Sequence, residues 1–173
     1  MKGEIGLKYI LGIILALVLV LGAAGAASAA PVLAGSEGQL FVFGELDPMV
    51  GMPVGIGYNV SDTLAIGAFY SWGPDALGAF AILSFDPFVL NAEAVFYTPG
   101  VFGKVSATYN FDLDPLTLGL GGGCYFEGGG SIFFLEAAAN LVIGDMFSLY
   151  GAVDYYFVGI PFFEYKVGIS LAL

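Results

Sequence analysis

Few side chains in this sequence could do chemistry, and their types exclude most of it. There is no histidine, and the four cations are all lysines. A Ser-His nucleophile pair therefore cannot be assembled. Carboxylates alone can act as acid and base when two are held close in unlike environments. Glu93 and Glu136 are the pair that a fold could bring together. In the wall of a barrel the same two carboxylates would instead join a network of ion pairs and hydrogen bonds. Asp112 and Asp114 could offer oxygens to a hard cation, although two acids in a turn ordinarily face solvent. Cys124 is the single cysteine, so no intrachain disulfide forms. It reads as a small apolar residue. Gly119, Gly121–Gly123 and Gly128–Gly130 are not followed by the Gly-Lys-Ser/Thr of a phosphate loop. They read as a bend or tight hairpin in a sheet. No enzyme, cofactor or metal site is expected.

The composition narrows the setting. Met1 to Lys8 carries two lysines, Tyr9 to Leu21 is an uncharged apolar run, and Gly22 to Ala30 is built of small residues. This is the layout of a secretory signal peptide, with Ala27-Ser28-Ala29 fitting the cleavage rule. The alternative is a retained anchor, for which the run is short. Taking residues 1–29 as the leader leaves 144 of 173 residues, one domain in size. That remainder keeps two of the four lysines and fourteen of the fifteen acids, a net charge of −12. Nucleic acid is excluded as a partner, because phosphate binding needs clustered cations.

The elements that must position these groups are short strands. Prolines and glycines punctuate the chain at Asp47-Pro48, Gly73-Pro74-Asp75, Asp86-Pro87, Thr98-Pro99-Gly100, Asp114-Pro115 and Ile160-Pro161. Between these breaks the pattern predicts ten strands over 38–47, 53–60, 64–72, 76–85, 88–98, 101–111, 116–126, 131–143, 147–157 and 162–173. Eight strands result if the first hairpin is irregular. Ten residues at about 3.3 Å each, tilted about 40°, rise about 25 Å, the height of a bilayer's apolar band.

Alternation decides the class. In 147–157 one face is Phe147, Leu149, Gly151, Val153, Tyr155 and Phe157. The other is Ser148, Tyr150, Ala152, Asp154 and Tyr156. In 162–173 the charges Glu164 and Lys166 again share one face, and in 101–111 Lys104 sits with Ser106, Thr108 and Asn110. A soluble sandwich would carry Lys, Glu and Arg on its outer faces. Here one face is charge-free in strand after strand. That is the signature of an all-β, antiparallel up-and-down transmembrane β-barrel, with a lipid-facing and a lumen-facing set. The expected organisation is a leader over 1–29, a short segment over 30–37 and the barrel over 38–173. Aromatics crowd both strand ends, as interfacial girdles would.

The lumen-facing polar network is expected to hold Glu93, Lys104, Glu136, Asp154, Glu164 and Lys166. A hairpin centred near Ile160 would set Asp154 opposite Lys166. A turn at Pro99-Gly100 would set Glu93 diagonal to Lys104. Tyr97, Phe102, Phe134, Tyr156 and Phe162 fall near one end of the lumen face. They would form an aromatic mouth admitting small apolar molecules, or else a plug of rings in a narrow barrel.

The hairpin Gly57-Tyr58-Asn59-Val60-Ser61-Asp62-Thr63-Leu64-Ala65-Ile66-Gly67 and the alternating last strand resemble those of the small outer-membrane β-barrel proteins of diderm bacteria, a porin-like family. That family usually ends on Phe, where this chain has Leu173, and its outward loops are often long, where these are short. The resemblance implies assembly from the periplasm by the outer-membrane machinery. The expected role is a narrow passive pore or a structural wall protein in the bacterial outer membrane, with the lipid bilayer and small solutes as partners. The alternative is a soluble, exported, lipocalin-like barrel that binds a small apolar ligand.

Overall fold

The computed structural model describes residues 37–47, 51–98, 100–144 and 146–173. The leader, Pro48, Pro99 and Asp145 lie outside the described residues. Ten strands follow in order: β1 (Leu40–Leu46), β2 (Pro53–Ser61), β3 (Leu64–Ser71), β4 (Ala76–Phe85), β5 (Phe88–Tyr97), β6 (Gly100–Leu113), β7 (Leu116–Glu127), β8 (Gly130–Ile143), β9 (Phe147–Tyr156) and β10 (Phe162–Ala172). Each pairs antiparallel with its sequence neighbours, and β1 pairs with β10 to close the ring. The count is ten because the first hairpin is regular, running from Leu40 opposite Tyr58 to Gly44 opposite Val54.

Turn chemistry sets the hairpins. β7 and β8 meet at Glu127 and Gly130, leaving Gly128 and Gly129 between them with φ of 56° and 84°. Both positions need positive φ, which glycine adopts without a steric penalty. Asp86-Pro87 and Asp114-Pro115 make equally tight links. The turns β2–β3, β4–β5, β6–β7 and β8–β9 lie at one rim, together with the start of β1 and the end of β10. The other five connections form the opposite rim.

The two faces differ completely. Along all ten strands, no outward-facing described residue is charged. Glu45, Glu93, Lys104, Glu136, Asp154, Glu164 and Lys166 all turn inward, as alternation required. Outward aromatic rings gather at both rims. Tyr58, Phe85, Phe88, Tyr109 and Phe111 stand at the rim with the chain ends, and Trp72, Phe96, Phe126, Phe157 and Phe163 at the other.

Inside, rings lie over glycines. Phe41, Phe43, Phe69, Phe80, Phe134 and Tyr150 each sit directly opposite a lumen-facing glycine on the next strand: Gly57, Gly55, Gly78, Gly67, Gly123 and Gly168. A Cβ at any of these glycines would come within 2.0–2.6 Å of the ring. The missing side chain is thus the space that the ring fills. The four phenylalanines from β1, β3 and β4 also touch one another, with centroids 5.5–6.4 Å apart, and fill one side of the lumen. The strand glycines in β7 were expected to mark a bend. Gly121 and Gly123 instead bring neighbouring backbone close, since a Cβ there would fall 1.9–2.0 Å from carbonyl oxygens of β6.

Gly78→Ala should destabilise the barrel by about 1–3 kcal/mol, the usual cost of overpacking. Phe69→Leu in the same chain should recover part of that loss in urea unfolding. Strictly additive costs would refute the ring-over-glycine packing.

Candidate functional site

The side of the lumen opposite the phenylalanines is polar. Lys104 on β6 projects inward from a position directly opposite Tyr125 on β7. The lysine reaches past β7 to β8 and β9. Its ammonium donates a hydrogen bond to Asp154, lies 3.9 Å from Glu136 Oε2, and stands 4.3 Å from the centre of the Phe134 ring. Lys104 is 2% exposed and Asp154 is fully buried. A second cluster lies closer to β1. Lys166 Nζ is 3.2 Å from Glu45 Oε1, and the Tyr150 hydroxyl donates to Glu45 Oε2 at 2.9 Å. Charges this deep persist only when paired and hydrogen-bonded.

All six residues expected in the polar network reach the lumen, but the expected pairings change. Asp154 faces Glu164 across the β9–β10 hairpin, and Lys166 faces Ala152. The reason is the turn, which is centred on Gly159 rather than near Ile160, so the register slips by two residues. Glu93 stands directly opposite Lys104 rather than diagonal to it, because the β5–β6 turn closes at Tyr97 and Gly100. Glu45, which partners Lys166, went unnoticed in the sequence. Strict alternation of Phe41, Phe43 and Glu45 in β1 was the signal that could have found it.

Above this layer, at the rim away from the chain ends, lies a cavity of about 230 Å³. Tyr97, Phe102, Tyr156, Glu93, Lys104 and Glu164 line it, and so do Asp47, Tyr125 and Glu127, which were not anticipated, with Pro74 and Ala76. Asp47 reads as a turn residue in sequence, and Tyr125 is masked by the glycine run before it. The expected aromatic mouth is therefore present in part. Phe134 does not belong to it. That ring is 2% exposed and packs beneath the Lys104 ammonium, over Gly123. Phe162 stays at the rim and stacks on Tyr156, with centroids 4.8 Å apart and planes 10° from parallel.

Below the charged layer is a smaller cavity of about 40 Å³, lined by Asn91, Ser106, Thr108, Glu136, Asn140 and Tyr150 among others. Asn91 and Asn140 present side-chain polar atoms to it that have no hydrogen-bond partner among the described residues. Its size and polarity suit a few bound waters. The two cavities share no lining residue. Lys104 borders the upper one and Glu136 the lower, so their ion cluster forms the partition.

Elsewhere the candidate groups have plain roles. Thr117 Oγ1 donates to Asp112 Oδ1 at 2.8 Å, tying the two ends of the β6–β7 hairpin. Cys124 lies on the outward face of β7, opposite Phe133. No family model, curated protein or solved structure matches this chain.

Lys104→Met should cost about 3–5 kcal/mol in unfolding free energy, because it strands buried carboxylates without their cation. Adding Asp154→Asn should restore much of the loss. A single variant as stable as the parent would show that the cluster does not hold the wall.

Proposed function

We propose that this protein is an integral outer-membrane β-barrel, a wall protein whose lumen is closed by its own side chains. The observation that carries this reading is the outward face. Ten strands expose Leu, Val, Ile, Phe, Ala, Gly and Tyr with no charge among the described outward positions. Such a face is stable against lipid and costly against water. A soluble lipocalin-like barrel would put charge outside and an apolar cavity inside, the reverse of this distribution. The rings at both rims match the belts that anchor barrels at headgroup level. The apolar leader supports export, and the alternating last strand supports assembly from the periplasm.

Between the pore and the wall protein, the packing favours the wall. Four phenylalanines fill one side of the lumen, and the Lys104 cluster separates the cavities on the other. A barrel this small can be filled by side chains.

Two measurements test the proposal. Ile169 is half exposed on the outward face of β10, three residues from its end. Ile169→Lys should lower the bilayer-inserted fraction, by up to about 2–4 kcal/mol, the cost of a lysine at the midplane. Asp62→Lys, in an exposed turn, should insert like the parent. Equal insertion of both variants would mean that the outward face does not meet lipid. In planar bilayers, refolded protein with insertion confirmed on the same sample should pass no discrete current. Regular steps would replace the closed wall with a pore.

A further inference from the structure

We propose that the upper cavity is a binding site for a small organic cation, an amine or quaternary ammonium compound held jointly by carboxylates and aromatic rings. The cavity reaches solvent, because the exposed Pro74 and Glu127 are part of its lining. Its charge is one-sided. Asp47, Glu93, Glu127 and Glu164 line it with one ammonium, that of Lys104, which is itself bonded to Asp154, while Lys166 outside the lining interacts electrostatically with Asp47 and Glu93. An anion is repelled from such a site, and a neutral molecule gains only hydrogen bonds from the carboxylates, without the charge attraction.

The rings supply the second half of the recognition. Tyr97, Phe102, Tyr125 and Tyr156 form a continuous arc, with successive centroids 5.9, 5.1 and 6.5 Å apart. The negative faces of aromatic rings attract cations, and most strongly those with diffuse charge and little hydration. Rings and carboxylates are also tied together. The Tyr97 hydroxyl donates to Glu127, Tyr125 donates to the same carboxylate at 3.3 Å, and Tyr156 donates to Glu164. These bonds hold the arc in place before any ligand arrives, which lowers the ordering cost of binding.

Size and donor type select the ligand class. A volume of about 230 Å³ lies below the range of about 300–1,000 Å³ for drug-sized sites, so the ligand is small. A bare metal ion is a poor fit: no group of three or more acid, histidine or cysteine side chains converges to hold one among the described residues. The charged layer forms the floor, so a bound molecule leaves by the way it came. The mouth that the sequence offered to apolar molecules is thus lined for cations, because carboxylates share the lining with its rings.

The inference rests on the closed barrel and not on its placement in a bilayer, so binding and insertion can fail separately. The test is choline against its uncharged isostere, 3,3-dimethylbutan-1-ol, titrated by calorimetry into the refolded protein in non-ionic detergent. Choline should bind saturably and at least about tenfold more tightly than the alcohol. Glu164→Gln and Tyr125→Ala should each weaken choline several-fold, in samples that keep the heat-shifted gel mobility of a folded barrel. Asp62→Asn should change nothing. Equal affinity for choline and the alcohol would make the mouth an apolar site and overturn the proposal. Folded parent protein with no saturable choline binding would overturn it too. Neither of these comparisons depends on a variant folding.

Discussion

Closure of β1 onto β10 is the constraint from which the rest follows. An open sheet of these strands would leave two edges with unpaired N–H and C=O groups. Closing the ring pairs Phe41 through Leu46 with Val167 through Ala172 and removes both edges. It also creates an inside too narrow to leave empty. Every inward side chain must then either fill space or find a polar partner, and every outward one is left to the surroundings.

The interior meets that demand in two ways. On the β1–β4 side, rings take the space of absent side chains: Phe41 over Gly57, Phe43 over Gly55, Phe80 over Gly67 and Phe69 over Gly78. A glycine opposite a ring makes a join that is flat, dense and free of rotamer conflict. On the β6–β10 side the interior is filled by charge. Lys104, opposite Tyr125 on β7, reaches past that strand to Asp154 and Glu136. Phe134 lies over Gly123 and beneath the ammonium, so one glycine supports both a ring and an ion cluster.

The upper cavity is what this arrangement leaves over. The charged layer stops short of the far rim, and the rings above it share the lining with carboxylates that hold their hydroxyls. Closing the lumen and shaping a recess above the closure are therefore one event. The lysine that partitions the barrel is also the lowest wall of the recess.

Much of this was legible in the chain. Ten strands followed from proline and glycine punctuation, and their observed bounds differ from the expected ones by a few residues at most. Alternation in β6, β9 and β10 assigned Lys104, Asp154, Glu164 and Lys166 to the inside, because strand side chains repeat every two residues whatever the tertiary setting. Which of these charges meet was not legible. Register depends on turn geometry, and moving the β9–β10 turn centre by one residue, from Ile160 to Gly159, slides the pairing by two and gives Asp154 a different neighbour. Contacts such as Lys104 with Asp154, across strands not adjacent in the sheet, and Lys166 with Glu45, across the β1–β10 seam, depend on how the ring curves and closes. The sequence by itself determined the strands, their two faces and the absence of charge outside, since those are local and periodic. Only the tertiary structure decided the rest: hairpin register set the rings over glycines, and closure of the barrel set the ion pairs and the recess at the rim, since those require distant strands to face one another across a shared interior.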